Sequence, residues 1–148
     1  MIRCLKRFEF SHEIKQERSV ELRVGGRDYI LFCVSQNAGL DPWPEAFGYI
    51  DYPLSLVLFD ADGREIWRRT FGRGTIPGVW FTPFIAFDLD GDGDDEIYFV
   101  HNIDDDHPFS HRSTYLEHID PRTGETVAQY KFPANNTGNT IHPRNTET

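Results

Sequence analysis

Short apolar runs separated by turn residues follow one another along most of the chain. The runs are rich in Val, Ile, Phe and Tyr, which favour β-strands, and they are bounded by Gly, Asp or Pro. No window combines a helical period with capping residues at both ends. The pattern therefore predicts eight strands, at residues 20–24, 29–34, 54–60, 65–71, 81–87, 96–102, 115–120 and 126–132.

The eight predicted strands form two sets of four that resemble each other. Residues 56–71, LVLFDADGREIWRRTF, are similar to residues 115–132, YLEHIDPRTGETVAQYKF. In both segments a strand ends in Asp, a turn that contains Gly follows, and a second strand begins. Four antiparallel strands repeated at a period of about sixty residues are typical of propeller blades. We therefore predict an all-β fold of antiparallel four-stranded blade-like sheets, about two blades of a β-propeller that is partial or assembled.

The strand region and the tail differ in composition. Residues 1–133 form the propeller-like repeat region, whereas residues 134–148 are polar, so we expect this tail to be disordered. A closed propeller needs at least about four blades. Three interpretations therefore stay open: the chain is part of a longer product, several copies assemble, or the fold is a smaller sandwich. Open strand edges would favour self-association.

Composition narrows the class of protein further. Hydrophobic residues make up 39% of the chain and aromatic residues 14%, which suffices for a core. The formal charge of −9 makes nucleic acids and anionic membranes poor partners. The first residues lack the apolar core of a signal peptide and no run has the length of a membrane span, so we expect a cytoplasmic protein. Cys33 lies in the apolar run DYILFCV, and a disulfide with Cys4 is disfavoured.

The segment DLDGDGDDE, residues 88–96, places six carboxylates in nine residues. Alternating oxygen ligands, with a glycine where the loop turns sharply, resemble the way an EF-hand loop wraps calcium. Position 12 of the loop is Phe99, within a strand, so the segment is not an EF-hand. We predict a Ca²⁺ site whose ligands are the side chains of Asp88, Asp90, Asp92 and Glu96 and the backbone carbonyl of Asp94.

Electrostatic repulsion favours a bound cation in this loop. Two carboxylates about 4 Å apart repel by roughly 4 kcal/mol at an effective dielectric near 20. Four converging carboxylates without a cation should splay or take up protons. Asp95 is expected to face solvent or a water ligand. The alternatives are a solvated acidic turn and Mg²⁺, which prefers fewer protein ligands. A role as a staple of one turn is favoured over a catalytic role.

Several other residues are candidates for substrate binding. We single out Trp80, His101, Asp105 and His107, because aromatic, imidazole and carboxylate groups can contact sugars or a second metal. The alternative is a polar surface loop around His101 with tryptophans that pack or anchor loops. Further candidates are the sugar-stacking Trp43 and Tyr49 and the uronate-binding Arg68 and Arg69, one of which is expected to face water.

These segments together resemble a known family. The calcium loop followed by YFV is similar to FG-GAP or VCBS-type repeats of β-propellers. The wider context, IPGVW at 76–80, FTPFIAFDLDGDGDDEIYFVHNID at 81–104 and LEHIDPRTGE at 116–125, resembles the rhamnogalacturonan lyase family, polysaccharide lyase family 11. The resemblance covers most of residues 19–133. Family members are much longer than this chain and form a closed propeller.

The resemblance implies cleavage of the rhamnose–galacturonate backbone of pectin by β-elimination. A metal ion neutralises the uronate carboxylate, a base removes the C5 proton, and the glycosidic oxygen leaves. The implied partner is pectic polysaccharide and the implied cofactor is Ca²⁺, while the catalytic base is not identified. Two alternatives remain: a non-catalytic calcium-stapled module that binds carbohydrate or protein, and a truncated product without independent activity.

Overall fold

The computed structural model describes residues 2–4, 6–37, 52–75, 82–101 and 115–131. All eight predicted strands are confirmed, with ends that differ from the expectation by a few residues. Within the described ranges there is no helix, and so none that is long and apolar enough to cross a membrane. The strands are β1 (Gln16–Val24), β2 (Arg27–Ser35), β3 (Ser55–Asp60), β4 (Glu65–Thr70), β5 (Phe84–Phe87), β6 (Glu96–His101), β7 (Tyr115–Ile119) and β8 (Thr126–Lys131).

The strands form two four-stranded antiparallel sheets, and each sheet follows chain order. The first sheet is β1-β2-β3-β4 and the second sheet is β5-β6-β7-β8. Pairing of β3 with β4 shifts by one residue between Leu58 and Phe59, and pairing of β7 with β8 shifts in the same way between His118 and Ile119. Aligning the two bulges makes Phe59 equivalent to Ile119. The structure therefore confirms the internal repeat of two blade-like sheets.

The main hydrophobic core lies between the two sheets. Alternation along β2 and β3 sends one set of side chains toward the second sheet and the other set to the opposite face. The core joins residues of both sheets: Leu22, Val24, Leu31, Cys33, Leu54, Leu56, Leu58, Phe71, Ile97, Phe99 and Ile119. The opposite face of the first sheet is covered by the N-terminal segment (residues 6–15), whose Phe8 and Phe10 pack on Phe32 and Phe59 and whose Ile14 packs against the same cluster.

The two sheets stack face to back rather than face to face. Phe59 points into the cluster under the N-terminal segment, whereas the equivalent Ile119 points into the core between the sheets. Equivalent faces thus point the same way along the stack. No described element packs on the other face of the second sheet, which we call its free face. This free face is the counterpart of the face that the first sheet buries against the second. Its exposed apolar side chains include Ile85, Phe87 and Tyr130, each more than half exposed.

Polar contacts also join the two sheets. Arg69 of β4 pairs with the fully buried Glu117 of β7 at 2.8 Å. The Trp67 indole N–H donates to the Pro121 carbonyl at 2.9 Å. Arg18 of β1 donates to the carbonyl and the hydroxyl of Thr82, at 2.8 and 2.9 Å. The sheets are therefore held by specific hydrogen bonds as well as by apolar burial.

Both cysteines are free, as expected. Cys4 is exposed and Cys33 is buried in the core between the sheets. Burial raises the pKa of the Cys33 thiol to about 11, against the opposing effect of the nearby Arg18 guanidinium. Cys33 is thus a small buried hydrophobe. The predicted disordered tail, residues 134–148, lies outside the described residues.

Candidate metal centre

The acidic loop (residues 88–95) connects β5 to β6, and Glu96 opens β6. Gly91 and Gly93 have φ angles of +81° and +94°, a backbone conformation that glycine adopts without the steric cost of a side chain. The Asp88 carboxylate accepts the N–H groups of both glycines, at 2.7 and 3.0 Å. Asp90 and Asp92 each accept the N–H of the residue two positions on. The chain is curled by its own carboxylates.

Four carboxylates of this segment converge. Asp88, Asp90, Asp92 and Glu96 each offer an oxygen, and these oxygens all lie within 4.8 Å of one another. Glu96 is oriented by the Leu89 N–H, which donates to its carboxylate at 2.8 Å. Hard oxygen donors at alternate residues of a curled loop fit Ca²⁺, which takes six to eight oxygens. The acidic cluster could hold a metal ion.

The other two carboxylates of the acidic loop face the first sheet. Asp94 accepts the Gly25 N–H at 2.6 Å and pairs with the Arg122 guanidinium of the β7–β8 turn. The Gly25 N–H, aided by Arg122, lowers the pKa of the Asp94 carboxyl against the opposing effect of partial burial. Asp95 was expected to face solvent or a water ligand, whereas its carboxylate accepts the Arg23 N–H of the first sheet at 2.6 Å. A backbone partner distant in sequence explains the difference.

A groove beside the acidic loop adds residues that the sequence analysis missed. Tyr98 of β6 and His118 of β7 are cross-strand partners, and their rings stack with centroids 5.0 Å apart at 18°. Burial raises the pKa of the Tyr98 hydroxyl, and the nearby Glu96 charge adds to this effect. Arg122 and Val127 line the same groove. The period-2 alternation of β6 and β7 places Tyr98 and His118 on one face, but only the register shows that they are neighbours.

Most of the other predicted substrate-binding residues lie outside the part of the chain that the structure describes. Trp80, Asp105 and His107 lie outside the described residues, as do Trp43 and Tyr49. His101 is the last residue of β6, and its side chain is outside the described part. Arg68 and Arg69 are described. Arg68 pairs with Glu65 on its own strand, and Arg69 pairs with the buried Glu117.

Comparisons with known proteins point to one group of enzymes, although no protein-family model matches the chain. A 44-residue stretch is 48% identical to the rhamnogalacturonan exolyase YesX of Bacillus subtilis strain 168. Over a match of the same length, the chain is 43% identical to the rhamnogalacturonan endolyase YesW of that strain. Each match covers 28% of this chain and 7% of the relative.

Two solved structures resemble this chain over more of its length than the sequence matches do. The chain superposes on the exotype rhamnogalacturonan lyase YesX with a TM-score of 0.62 at 22% identity. It superposes on the Bacillus licheniformis rhamnogalacturonan lyase PL11 with a TM-score of 0.61 at 19% identity. Each superposition covers 77% of this chain and 22% of the neighbour. At such identities the likeness shows the fold, and the chain spans less than a quarter of the solved lyases.

Proposed function

We propose that this chain is a calcium-binding, blade-like module of a rhamnogalacturonan-lyase-like β-propeller. The ion would bind Asp88, Asp90, Asp92 and Glu96, with the Asp94 carbonyl as a further ligand, and would stabilise the connection between β5 and β6. The observation that carries the proposal is the convergence of four carboxylates on a loop curled by its own backbone amides.

Charge and chemistry favour Ca²⁺ over a solvated acidic turn. The four carboxylates are oriented by backbone N–H groups, which keeps them together although their charges repel. A divalent cation would offset that repulsion. Mg²⁺ demands near-octahedral geometry and retains several waters, whereas Ca²⁺ accepts many carboxylate and carbonyl oxygens. The donor set suits the larger ion.

The stacking of the two sheets supports the propeller part of the proposal. Because equivalent faces point the same way, the free face of the second sheet is prepared for a further sheet of the same kind. Ile85 and Phe87 occupy the positions that Val20 and Leu22 occupy on the buried face of the first sheet. Sheets that stack face to back and contact only their neighbours leave such a face at one end of the stack. A propeller would cover it with the next blade.

At the level of a whole enzyme, the proposed substrate is pectic polysaccharide. The relatives are named rhamnogalacturonan lyases. The reaction that we propose for the whole enzyme is β-elimination at a uronate of the rhamnogalacturonan backbone. A divalent cation supplies charge neutralisation at a uronate carboxylate in such chemistry. Trp80, His101, Asp105 and His107 remain the proposed sugar contacts. Release of an unsaturated uronate product from rhamnogalacturonan is the measurement for this step.

Thermal unfolding with Ca²⁺ and with a chelator tests the metal centre. We expect Ca²⁺ at about a hundredfold above its dissociation constant to raise the midpoint by about 5 °C or more. Asp90→Ala should lose most of that gain. Asp62→Ala, which removes an exposed carboxylate from a turn of the first sheet, is the matched control and should retain it. If the protein is folded and Ca²⁺ does not change its unfolding midpoint, the loop is only a solvated acidic turn and the proposed metal site is wrong.

A non-catalytic binding module is the second candidate. The groove that joins the stacked Tyr98 and His118 rings to the acidic loop favours it, because aromatic faces and carboxylates together contact sugars. This candidate predicts calcium-dependent retention on immobilised rhamnogalacturonan without product. Product formation would decide for the lyase, and retention without product would decide for the module.

A further inference from the structure

The acidic loop has a second side, which forms hydrogen bonds with backbone groups of the first sheet. The Asp95 N–H donates to the Arg23 carbonyl at 2.7 Å, and the Asp95 carboxylate accepts the Arg23 N–H at 2.6 Å. The Asp94 carboxylate accepts the Gly25 N–H at 2.6 Å. Two consecutive residues of one sheet's loop thus bind the end of β1 and its turn, about seventy positions earlier in the chain.

These contacts cover an open strand edge. Among the described strands, β1 is an outer strand of the first sheet and pairs with β2 alone. The outward N–H and carbonyl groups of an edge strand need a partner, a cover or water. Asp95 satisfies both backbone groups of Arg23, the carbonyl through its N–H and the N–H through its carboxylate. The acidic loop is therefore the local cover of the β1 edge.

The metal side and the docking side of the acidic loop are mechanically one unit. The Asp94 N–H donates to Asp92, a member of the converging cluster, at 2.8 Å. Asp95 is followed directly by Glu96, another member. Four like charges held within this space repel each other unless a cation offsets them. Spreading of the loop would therefore pull on Asp94 and Asp95, which are bonded to Gly25 and Arg23.

We propose that the acidic loop is a cation-dependent clasp: occupancy of the cluster holds Asp94 and Asp95 against the β1 edge and so tightens the docking of the two sheets. Asp94 and Asp95 are positioning residues in this scheme. The inference rests on the proposed calcium site. By linkage the coupling is reciprocal, so loss of docking weakens ion binding by the same factor that ion binding strengthens docking.

Hydrogen exchange of single backbone amides in the full chain tests the clasp. With Ca²⁺ in place of a chelator, we expect the Arg23 and Gly25 amides to exchange about tenfold more slowly. The Gly63 amide, which donates within the β3–β4 turn of the same sheet, is the reference and should change much less. Neither Arg23 nor Gly25 contributes a carboxylate, so their protection reports docking and not ligation.

A matched pair of double variants separates docking from charge. Asp94→Asn with Asp95→Asn removes two charges but keeps acceptor oxygens for the Gly25 and Arg23 amides. Asp94→Ala with Asp95→Ala removes the same charges and the acceptors. Calorimetric titration should give the alanine pair at least about fivefold weaker Ca²⁺ affinity than the asparagine pair. The alanine pair should also lose the protection at Arg23 and Gly25.

The outcomes distinguish the clasp from the metal site. Slower exchange at both amides together with weaker binding by the alanine pair supports the clasp. Ca²⁺ binding to the wild-type chain with unchanged exchange at Arg23 and Gly25, or equal affinities of the two double variants, overturns the clasp and leaves the metal site standing. No Ca²⁺ binding to the folded wild-type chain overturns both.

Discussion

The two sheets differ in the connection between their first two strands. By register, the pair Phe87–Glu96 of the second sheet is equivalent to Leu22–Tyr29 of the first. Beyond that pair, β1 and β2 continue to pair and close through Gly25-Gly26, both with positive φ. In the second sheet the pairing stops and the acidic loop follows. β1 and β2 are therefore joined by a tight hairpin turn, whereas β5 and β6 are joined by a loop that carries a carboxylate cluster.

The difference shows that the acidic loop is not needed to build a sheet of this kind. Two glycines with φ near +60° suit a tight hairpin, and the first sheet closes without a cluster of carboxylates. The carboxylates are an addition, and the two outside the cluster bind the end of β1 and the glycine turn of the neighbouring sheet, Asp95 at Arg23 and Asp94 at Gly25. The feature that distinguishes the two sheets, the acidic loop, thus lies at the contact between them. Other positions along this contact also carry different residues in the two sheets, and substitutions there test the comparison.

The largest expected effect concerns Glu117, which occupies the position of Val57 in the first sheet. Glu117 is fully buried and pairs with Arg69 at 2.8 Å, and Thr126 also donates to it. Glu117→Val would copy the first sheet but leave the Arg69 guanidinium in the interface without its carboxylate. We expect a loss of about 3 kcal/mol in the free energy of unfolding, measured by urea denaturation.

The control for this prediction removes the whole ion pair. Glu117→Val combined with Arg69→Leu should lie within about 1 kcal/mol of wild type, because replacing a buried pair by apolar groups is often neutral. Equal destabilisation of the single and double variants would mean that shape, and not the unpaired charge, sets the cost. If the single variant is as stable as wild type, the Arg69–Glu117 ion pair does not stabilise the contact between the sheets.

The next effect concerns Trp67, whose counterpart in the second sheet is Ala128. The indole N–H donates to the Pro121 carbonyl, and a Cβ added to Gly124 would lie 2.8 Å from the ring. Gly124 thus leaves room for the tryptophan of the other sheet. Trp67→Ala should cost about 2–3 kcal/mol in urea denaturation, at the low end for a tryptophan because the side chain is half-buried.

Trp67→Phe separates packing from hydrogen bonding at the same position. The phenyl ring keeps most of the contact with Gly124 and loses the donor to Pro121, so we expect a loss of about 1 kcal/mol. If Trp67→Ala costs no more than Trp67→Phe, the ring does not hold the β7–β8 turn. In that case the two copies differ at this position without consequence for their docking.

The sequence was sufficient for the elements and insufficient for the contacts between them. Period-2 runs bounded by Gly and Asp identify all eight strands, and alternating carboxylates identify the four residues that converge. The contact of Asp95 was not predicted because its partner is a backbone amide seventy-two positions away, which no local pattern records. The sequence YLEHI of β7 likewise does not show that Glu117, a charged residue, is fully buried beside the apolar Ile119. Packing of Phe8 and Phe10 on the first sheet also depends on tertiary contacts.

The smallest effect concerns the turn that both copies share. Asp60 accepts the backbone N–H groups of Asp62 and Arg64, each at 2.9 Å. The Arg64 amide is the main cause that lowers the pKa of the Asp60 carboxyl below its usual 3.8, against the opposing effect of partial burial. A lowered folded-state pKa contributes stability that is present above the unfolded pKa and is lost as the pH falls through the folded pKa.

Asp60→Asn keeps an acceptor oxygen but cannot titrate, so its unfolding midpoint should fall less than that of wild type between pH 6 and about pH 3. Asp62→Asn, which removes an equal charge from the same turn, should follow wild type. Equal acid sensitivity of wild type and Asp60→Asn would show that this turn does not depend on an ionised carboxylate. The plan that the two hairpins share would then rest on backbone geometry alone.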